Sequence, residues 1–206
     1  MKTVQVRNIT LGEGRPKICV PIVGQTKDDI LLEAGTFARI PVDVVEWRVD
    51  WFEDVFDTDK VLDVAKDLQT ILKDTPILFT FRTAKEGGEK AISNEAYKAL
   101  NMAVAKSGYV DLIDVEAFTG EEIVKSMIRE AHSYGVKVIA SNHDFDATPE
   151  KDEIVRRLCM MQNYGADIPK MAVMPRNKQD VLTLLSATLE MSEQFADRPI
   201  ITMSMA

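Results

Sequence analysis

Strand-like apolar runs alternate with helix-like stretches along nearly the whole chain. Seven short apolar runs, each bounded by turn residues, have the character of buried strands, and six longer stretches between them have helical character. Strict alternation of this kind predicts parallel strands joined by right-handed helical crossovers. The predicted strands lie within residues 17–23, 42–50, 76–82, 109–118, 137–144, 166–174 and 199–205.

Local sequence features mark several of the predicted helix ends. Thr26 and Ser93 have side chains suited to N-terminal caps, and Thr148-Pro149 places a proline at a predicted helix start. Gly135 and Gly165 follow two of the predicted helices, where a left-handed cap is expected. The predicted helices span residues 26–38, 58–72, 119–134 and 178–195, with two more starting at Ser93 and Thr148.

Two architectures accommodate parallel strands in this order: a closed (β/α)₈ barrel and an open, doubly wound sheet. No G-x-G-x-x-G motif follows the first strand, so a dinucleotide-binding sheet has little support. The barrel is favoured because unusual polar residues stand at the carboxyl ends of many different strands, where barrel active sites lie. We predict an α/β barrel as one domain over residues 1–206, preceded by a β-hairpin with its turn at Gly12-Glu13-Gly14.

The net charge and the two cysteines argue against several classes of protein. The 206 residues carry a net charge of −8 and no basic cluster, so nucleic-acid binding is not expected. Cys19 and Cys159 lie far apart in sequence, which indicates the reduced thiols of a cytoplasmic protein rather than a disulfide framework. Neither a secretory leader nor an apolar run of membrane-spanning length is found, so no membrane association is expected.

Lys170 lies inside one of the apolar runs, at residues 166–174. Desolvation lowers the pKa of a lysine, and a neutral amine is what Schiff-base chemistry with a carbonyl substrate requires. The alternative is that Lys170 sits at a strand end and extends its ammonium group into water. This stretch alone favours that alternative, and the rest of the chain changes the balance.

Further polar and sulfur-containing residues lie at or just beyond the predicted strand ends. If the strands form one barrel, their side chains converge on a single opening. The set consists of Glu46, Arg48, Arg82, Glu86, Asp114, Glu116, His143, Met203 and Met205.

Taken one at a time, these residues have structural explanations. The acidic residues and arginines are compatible with an internal ion-pair network, His143 with a structural role at a strand end, and Glu86 with an ordinary loop charge. The two methionines are compatible with filling of the barrel interior. Taken together, these explanations require several buried charges to meet at one end by coincidence, although burying charge without function is costly.

The set permits one specific chemistry. Lys170 can condense with a substrate ketone, and the resulting iminium acidifies the neighbouring carbon. His143 can move a proton off that carbon, and Glu86 can hold the imidazole in the required tautomer. Arg48 and Arg82 can bind a carboxylate or hydroxyl groups. No spacing suits a metal site, and neither a Walker loop nor a nucleophile elbow is found.

The chain closely resembles the type I 3-dehydroquinate dehydratases of the shikimate pathway from its first residue to its last. Several motifs in the same order make this resemblance specific. They are Glu46-Trp47-Arg48-Val49-Asp50, Phe79-Thr80-Phe81-Arg82, Ala84-Lys85-Glu86-Gly87-Gly88, Asp114-Val115-Glu116, Ser141-Asn142-His143-Asp144-Phe145, Gly165-Ala166-Asp167-Ile168-Pro169-Lys170 and Ile201-Thr202-Met203-Ser204-Met205.

The resemblance implies a (β/α)₈ barrel, usually a homodimer, that acts on the small molecule 3-dehydroquinate and needs neither metal nor organic cofactor. It implies that water is lost by syn elimination through a lysine imine, giving 3-dehydroshikimate. By motif, Lys170 forms the imine, His143 is the general base and Glu86 orients it. By the same resemblance Glu46, Arg48 and Arg82 hold the ring hydroxyls, and Met203 and Met205 line the pocket.

Two features depart from the family pattern. Some members have a serine where this chain has Pro21, at the top of the first barrel strand. A barrel of this class typically needs about 250 residues, and the family continues past the seventh strand with helices and an eighth strand. We therefore expect an incomplete barrel of seven strands with exposed sheet edges. A catalytically impaired fragment and a Schiff-base barrel lyase of the aldolase type stay open as alternatives.

Overall fold

The computed structural model describes residues 2–205 and confirms the predicted alternation. A two-stranded antiparallel hairpin, β1 (Val4–Val6) and β2 (Ile9–Leu11), precedes a seven-stranded parallel sheet. The parallel strands are β3 (Cys19–Ile22), β4 (Val44–Arg48), β5 (Ile77–Thr80), β6 (Leu112–Glu116), β7 (Lys137–Asp144), β8 (Ile168–Val173) and β9 (Ile201–Ser204). They are hydrogen-bonded in chain order, as the strands of a (β/α)₈ barrel are.

Helices occupy the connections between the parallel strands. The six are α1 (Lys27–Phe37), α2 (Thr58–Leu72), α3 (Asn94–Ser107), α4 (Glu121–Ser133), α5 (Lys151–Asn163) and α6 (Lys178–Glu190). A π-helical turn, Met191–Phe195, extends α6, and 3₁₀ turns at Val49–Trp51 and Ala84–Glu86 follow β4 and β5. None of the helices within residues 2–205 is long and apolar enough to cross a membrane.

Most of the predicted helix ends are confirmed. Thr26 and Asp29 form a reciprocal capping box at the start of α1, so two otherwise unpaired backbone N–H groups are bonded. The Ser93 hydroxyl accepts a hydrogen bond from the backbone N–H of Ala96 at 3.2 Å. Gly135 and Gly165 have φ angles of +79° and +97°, values that favour glycine, after α4 and α5.

The predicted hairpin turn and one predicted helix start are wrong. The hairpin turns at Arg7 and Asn8, where Arg7 has a φ of +48°, whereas Gly12 lies after β2 in the connection to β3. A positive φ within a two-residue hairpin turn matches the twist of the strands and is not restricted to glycine. Thr148-Pro149 lies before α5, which begins at Lys151, and the Thr148 hydroxyl donates to the carbonyl of Met174 at 3.1 Å.

The hairpin closes the amino-terminal end of the parallel sheet. Val4 and Val6 pack in one buried apolar cluster with an inward-facing residue from each of five parallel strands. Those five residues are Val44, Leu78, Leu112, Ile139 and Ile168. A larger apolar cluster fills the space between the strands and helices α1 to α4, and a smaller one packs under α5 and α6.

Candidate active site

Lys170 and His143 face the same side of the sheet on neighbouring strands. Ile139 and Ile168 belong to the inner cluster, and side chains two residues apart in a strand share a face. Ser141, His143 and Lys170 therefore also face inward. The register pairs Ser141 with Lys170, so His143 lies one diagonal step further along the barrel. Ordinary strand spacing puts the Cα atoms of His143 and Lys170 roughly 8 Å apart, a gap that a lysine side chain can bridge.

Two cavities adjoin these inward-facing residues. Lys170, Glu46 and Met203 line a cavity of 710 Å³ together with residues of the hairpin connection. His143 and Glu86 line a second cavity of 260 Å³ beneath the loop that carries Glu86. Arg48, Arg82 and Met205 are not among the described residues that line either space. The structure thus brings Lys170 and His143 to one face while each borders its own cavity.

Glu86 contacts both the backbone and the imidazole ring of His143. Its Oε2 atom accepts a hydrogen bond from the His143 backbone N–H at 2.8 Å and lies 3.1 Å from His143 Nδ1. A carboxylate can only accept, so the imidazole proton belongs on Nδ1 and the lone pair on Nε2. Burial, followed by the positive charges of Arg82 and Lys170, lowers the pKa of His143 to about 3. The neutral imidazole is therefore the form at neutral pH, as a proton acceptor requires.

The loop after β5 holds Glu86 in place. The Glu86 and Gly88 backbone N–H groups both donate to the Thr83 carbonyl, at 3.0 and 2.9 Å. A Cβ on Gly87 would come within 2.3 Å of the Phe145 ring, and one on Gly88 within 1.9 Å of the Arg82 carbonyl oxygen. The two glycines are therefore needed for the loop to pass this close to its neighbours.

Arg82 lies at the centre of a buried ion-pair cluster. One Nη atom bonds Asp114 Oδ1 at 2.8 Å, and the other bonds Glu116 Oε1 and Ser141 Oγ, each at 3.0 Å. Only 4% of Arg82 is exposed. Burial opposes the charged guanidinium, but Asp114 and Glu116 outweigh it and raise the pKa of Arg82. Burial likewise raises the pKa of Asp114, and Arg82 outweighs it, so the net pKa lies below its usual range.

Arg48 pairs with Asp50 rather than with Glu46. Its Nε and Nη2 atoms bond the two carboxylate oxygens of Asp50 at 2.9 and 2.8 Å, a bidentate contact. Asp50 is fully buried and also accepts hydrogen bonds from the backbone N–H groups of Arg82 and Glu89. Asp50 stands in one of the motifs that carry the family resemblance but received no role there, since spacing along the chain does not specify which carboxylate Arg48 pairs with.

Lys170 and Glu46 differ from Arg48 and Arg82 in that neither has a side-chain partner within the described residues 2–205. Among residues 2–205, neither the Lys170 ammonium nor the Glu46 carboxylate forms an ion pair or a hydrogen bond. Both are half-buried and line the 710 Å³ cavity, as do Pro21 and Met203, the latter 48% exposed. Charged groups without protein partners beside a cavity are available to a ligand.

Sequence reasoning did not assign roles to Ser141 and Asn142, which adjoin His143. Ser141 Oγ donates to Asp114 at 2.6 Å, and Asn142 Nδ2 donates to Glu86 Oε1 at 3.1 Å. Two buried polar residues directly before a strand-end histidine were the available sign. Within the described chain, no group of three or more histidine, cysteine and acidic residues is placed to bind a metal ion.

The parallel strands carry a histidine–carboxylate pair at their carboxyl ends, together with a lysine that has no ion pair among residues 2–205. This arrangement defines the class of the protein as an enzyme of the α/β barrel type. The model of the type I 3-dehydroquinase family matches residues 18–206. The chain belongs to this family.

Similar proteins support this assignment. The 3-dehydroquinate dehydratase of Clostridioides difficile (strain 630) is 56% identical over 205 residues, which cover 100% of this chain and 80% of that protein. The crystal structure of type I 3-dehydroquinate dehydratase from Clostridium difficile with covalent modified comenic acid superposes with a TM-score of 0.98, covering 100% of this chain and 81% of that one. The structure of 3-dehydroquinate dehydratase from Enterococcus faecalis gives a TM-score of 0.96 at 48% identity, covering 98% of this chain and 85% of that one.

Proposed function

We propose that the protein is a 3-dehydroquinate dehydratase, converting 3-dehydroquinate to 3-dehydroshikimate through an imine on Lys170. The main supporting observation is that Lys170, which has no ion pair among residues 2–205, lies one diagonal step from His143. The Glu86 carboxylate defines the tautomer of that histidine. An amine beside a cavity can attack a ketone, and a neutral imidazole on the same face can take a proton from the adjacent carbon.

The reaction balances with these groups alone. The neutral Lys170 amine adds to the ketone carbon, and the carbonyl oxygen leaves as water, with one proton from the amine nitrogen and one from solvent, to form the iminium. His143 Nε2 removes a proton from the neighbouring carbon, and the electron pair moves into the iminium to give an enamine. Collapse of the enamine expels the β-hydroxyl, which takes the proton back from His143 and leaves as water. Hydrolysis of the conjugated imine frees the enone product and Lys170.

The remaining predicted site residues serve binding in this proposal. Glu46 and Met203 line the cavity beside Lys170, where Glu46 can accept from ring hydroxyls. Arg48 keeps part of its side chain exposed while paired with Asp50. The Nη groups of Arg82 are engaged, so a hydroxyl contact would use its Nε–H. Met205 follows β9 and is proposed to pack against the substrate ring.

Borohydride trapping with 3-dehydroquinate tests the proposal. The wild-type chain should give a reduced covalent adduct on Lys170, located by peptide mass spectrometry, and absorbance of the enone product should report turnover. Lys170→Ala should lose both signals, and His143→Ala should keep the adduct while eliminating slowly. Turnover by Lys170→Ala above the uncatalysed rate would contradict the imine mechanism.

The same experiment separates the alternatives. A Schiff-base barrel lyase of the aldolase type would form its adduct only with a different carbonyl compound. An impaired fragment would give no adduct, or an adduct without turnover.

A cytoplasmic homodimer is part of the proposal, as the resemblance to the family implies. Both cysteines are free thiols, which is consistent with a reducing compartment. Sedimentation velocity over a range of protein concentrations tests the dimer, and a single monomer-sized species at all concentrations would contradict it.

A further inference from the structure

A chain of side-chain contacts connects the candidate base to the outer helix layer. Glu86, which holds His143 through Oε2, accepts a hydrogen bond on its other oxygen, Oε1, from Asn142 Nδ2 at 3.1 Å. Asn142 Oδ1 in turn accepts from Arg157 Nη1 at 2.9 Å. Arg157 lies on α5, the helix that follows β7. The histidine–carboxylate pair is thus connected to a residue outside the barrel wall.

Only one orientation of the Asn142 amide satisfies both of its neighbours. A guanidinium has donors only, and an ionised carboxylate has acceptors only. Turning the amide over would place its oxygen against Glu86 and its NH₂ group against Arg157, so both contacts would become repulsive. The positive charge of Arg157 therefore determines that Asn142 presents a donor to Glu86.

Arg157 is itself held by three further contacts. Its Nε atom bonds Glu153 Oε1 at 2.7 Å on the same helix, and its guanidinium carbon lies 5.4 Å from the centre of the Phe118 ring. Asp144, directly after His143, lies 3.8 Å from Arg157 Nη1. Asn142 is buried, with 7% of the residue exposed. These contacts fix both members of the pair before any ligand arrives.

We propose that Asn142 and Arg157 are positioning residues that hold Glu86 in the geometry required to orient His143. This inference rests on the proposed function, because the base must act on a substrate for its orientation to matter. With Oε1 occupied by Asn142, Glu86 keeps Oε2 directed at the backbone N–H and Nδ1 of His143. Loss of either positioning residue releases Oε1 and allows the carboxylate to rotate away from the imidazole.

The charge environment gives the positioning pair a measurable signature. Burial raises the pKa of Glu86, while Arg82 and the hydrogen bond from Asn142 oppose that shift. Removing Asn142 is therefore expected to raise the pKa of Glu86 further. The charged groups around the Glu86–His143 pair, on the surrounding strands and on α5, are Glu46, Arg82, Asp114, Glu116, Asp144, Arg157 and Lys170.

Steady-state kinetics of Asn142→Ala and Arg157→Ala test the proposal against a matched control. Arg156→Ala removes the neighbouring arginine of α5, which also pairs with Glu153 and has no contact with Asn142. Both test variants should lose about tenfold or more in kcat with KM little changed, as expected for removal of a residue that orients a catalytic group. Their borohydride adduct should form as in wild type, and the acidic limb of the kcat profile should move to higher pH. Arg156→Ala should match wild type in all these measurements.

Two conservative variants keep the test decisive if an alanine variant fails to fold. Asn142→Asp preserves the side-chain volume but puts a carboxylate against Glu86, which should also move the acidic limb to higher pH. Arg157→Lys keeps a donor for Asn142 Oδ1 and should recover part of the rate lost in Arg157→Ala.

The outcomes separate this inference from the proposed function. If the wild-type chain gives neither adduct nor turnover, the proposed function fails. If wild type turns over but the Asn142 and Arg157 variants keep the wild-type kcat and pH profile, or lose only thermal stability, the positioning role is overturned while the proposed function stands.

Discussion

Arg82 and Lys170 are two cations on the inner face of one sheet, and they differ in burial and in charged partners. Asp114 and Glu116 match the guanidinium of Arg82, which is almost wholly buried. Lys170 is half-buried beside a 710 Å³ cavity and has no ion pair among residues 2–205. The same barrel interior thus holds one charge that is satisfied by the fold and one that is left for a ligand.

The difference follows from the cost of desolvation. A buried ion that lacks a partner costs several kcal/mol, so Arg82 is tolerated at this depth only with its carboxylates around it. Lys170 avoids that cost because the cavity gives its ammonium group access to water. Substituting Arg82 should therefore damage the fold, whereas substituting Lys170 should damage the chemistry.

Arg82→Met should lower the free energy of unfolding by about 3–5 kcal/mol, because Asp114 and Glu116 would stay buried without a counter-charge. Lys170→Met makes the same change of side chain at the unpaired position and should stay within about 1 kcal/mol of wild type. Urea unfolding followed by circular dichroism measures both values. Equal stability of the two variants would show that the Arg82 cluster does not stabilise the fold.

A third cation, Arg48, is intermediate between Arg82 and Lys170 in its surroundings, and its substitution extends the comparison. Arg48→Met should cost about 2 kcal/mol, because Asp50 would lose a bidentate partner but keep two backbone donors. Arg156→Met removes a similar bidentate contact to Glu153 at the surface and should cost little, because water screens an exposed ion pair. The same urea titrations measure both, and an Arg48→Met loss as small as that of Arg156→Met would contradict a stabilising role for the buried pair.

The sequence alone predicts the helices and strands of this arrangement, but not which side chains pair with one another. The span predicted for α2 agrees with the structure to the residue, and so does that of β7, because period and flanking residues are local properties. The inward position of Arg82, Asp114, His143 and Lys170 followed from their place at strand ends. The choice of Asp50 for Arg48, and of Asn142 for Arg157, depends on loop geometry and on how α5 packs. Neither is encoded in spacing along the chain.

Substitution of His143 is expected to have a smaller effect on stability, and this effect depends on pH because Arg82 and Lys170 act on the imidazole. Because burial, Arg82 and Lys170 lower the pKa of His143 to about 3, the unfolded chain, with a histidine pKa of about 6.5, binds the proton more readily between these values. The stability that this group contributes is fully present above about pH 6.5 and is lost as the pH falls toward 3. His143→Gln, which cannot titrate, should therefore lose less stability than wild type on acidification, by about 1 kcal/mol between pH 6 and pH 5. Urea unfolding at matched pH values measures this difference, which should be constant above pH 7.5. Parallel curves down to pH 4 would show that burial and the two cations do not hold the imidazole neutral.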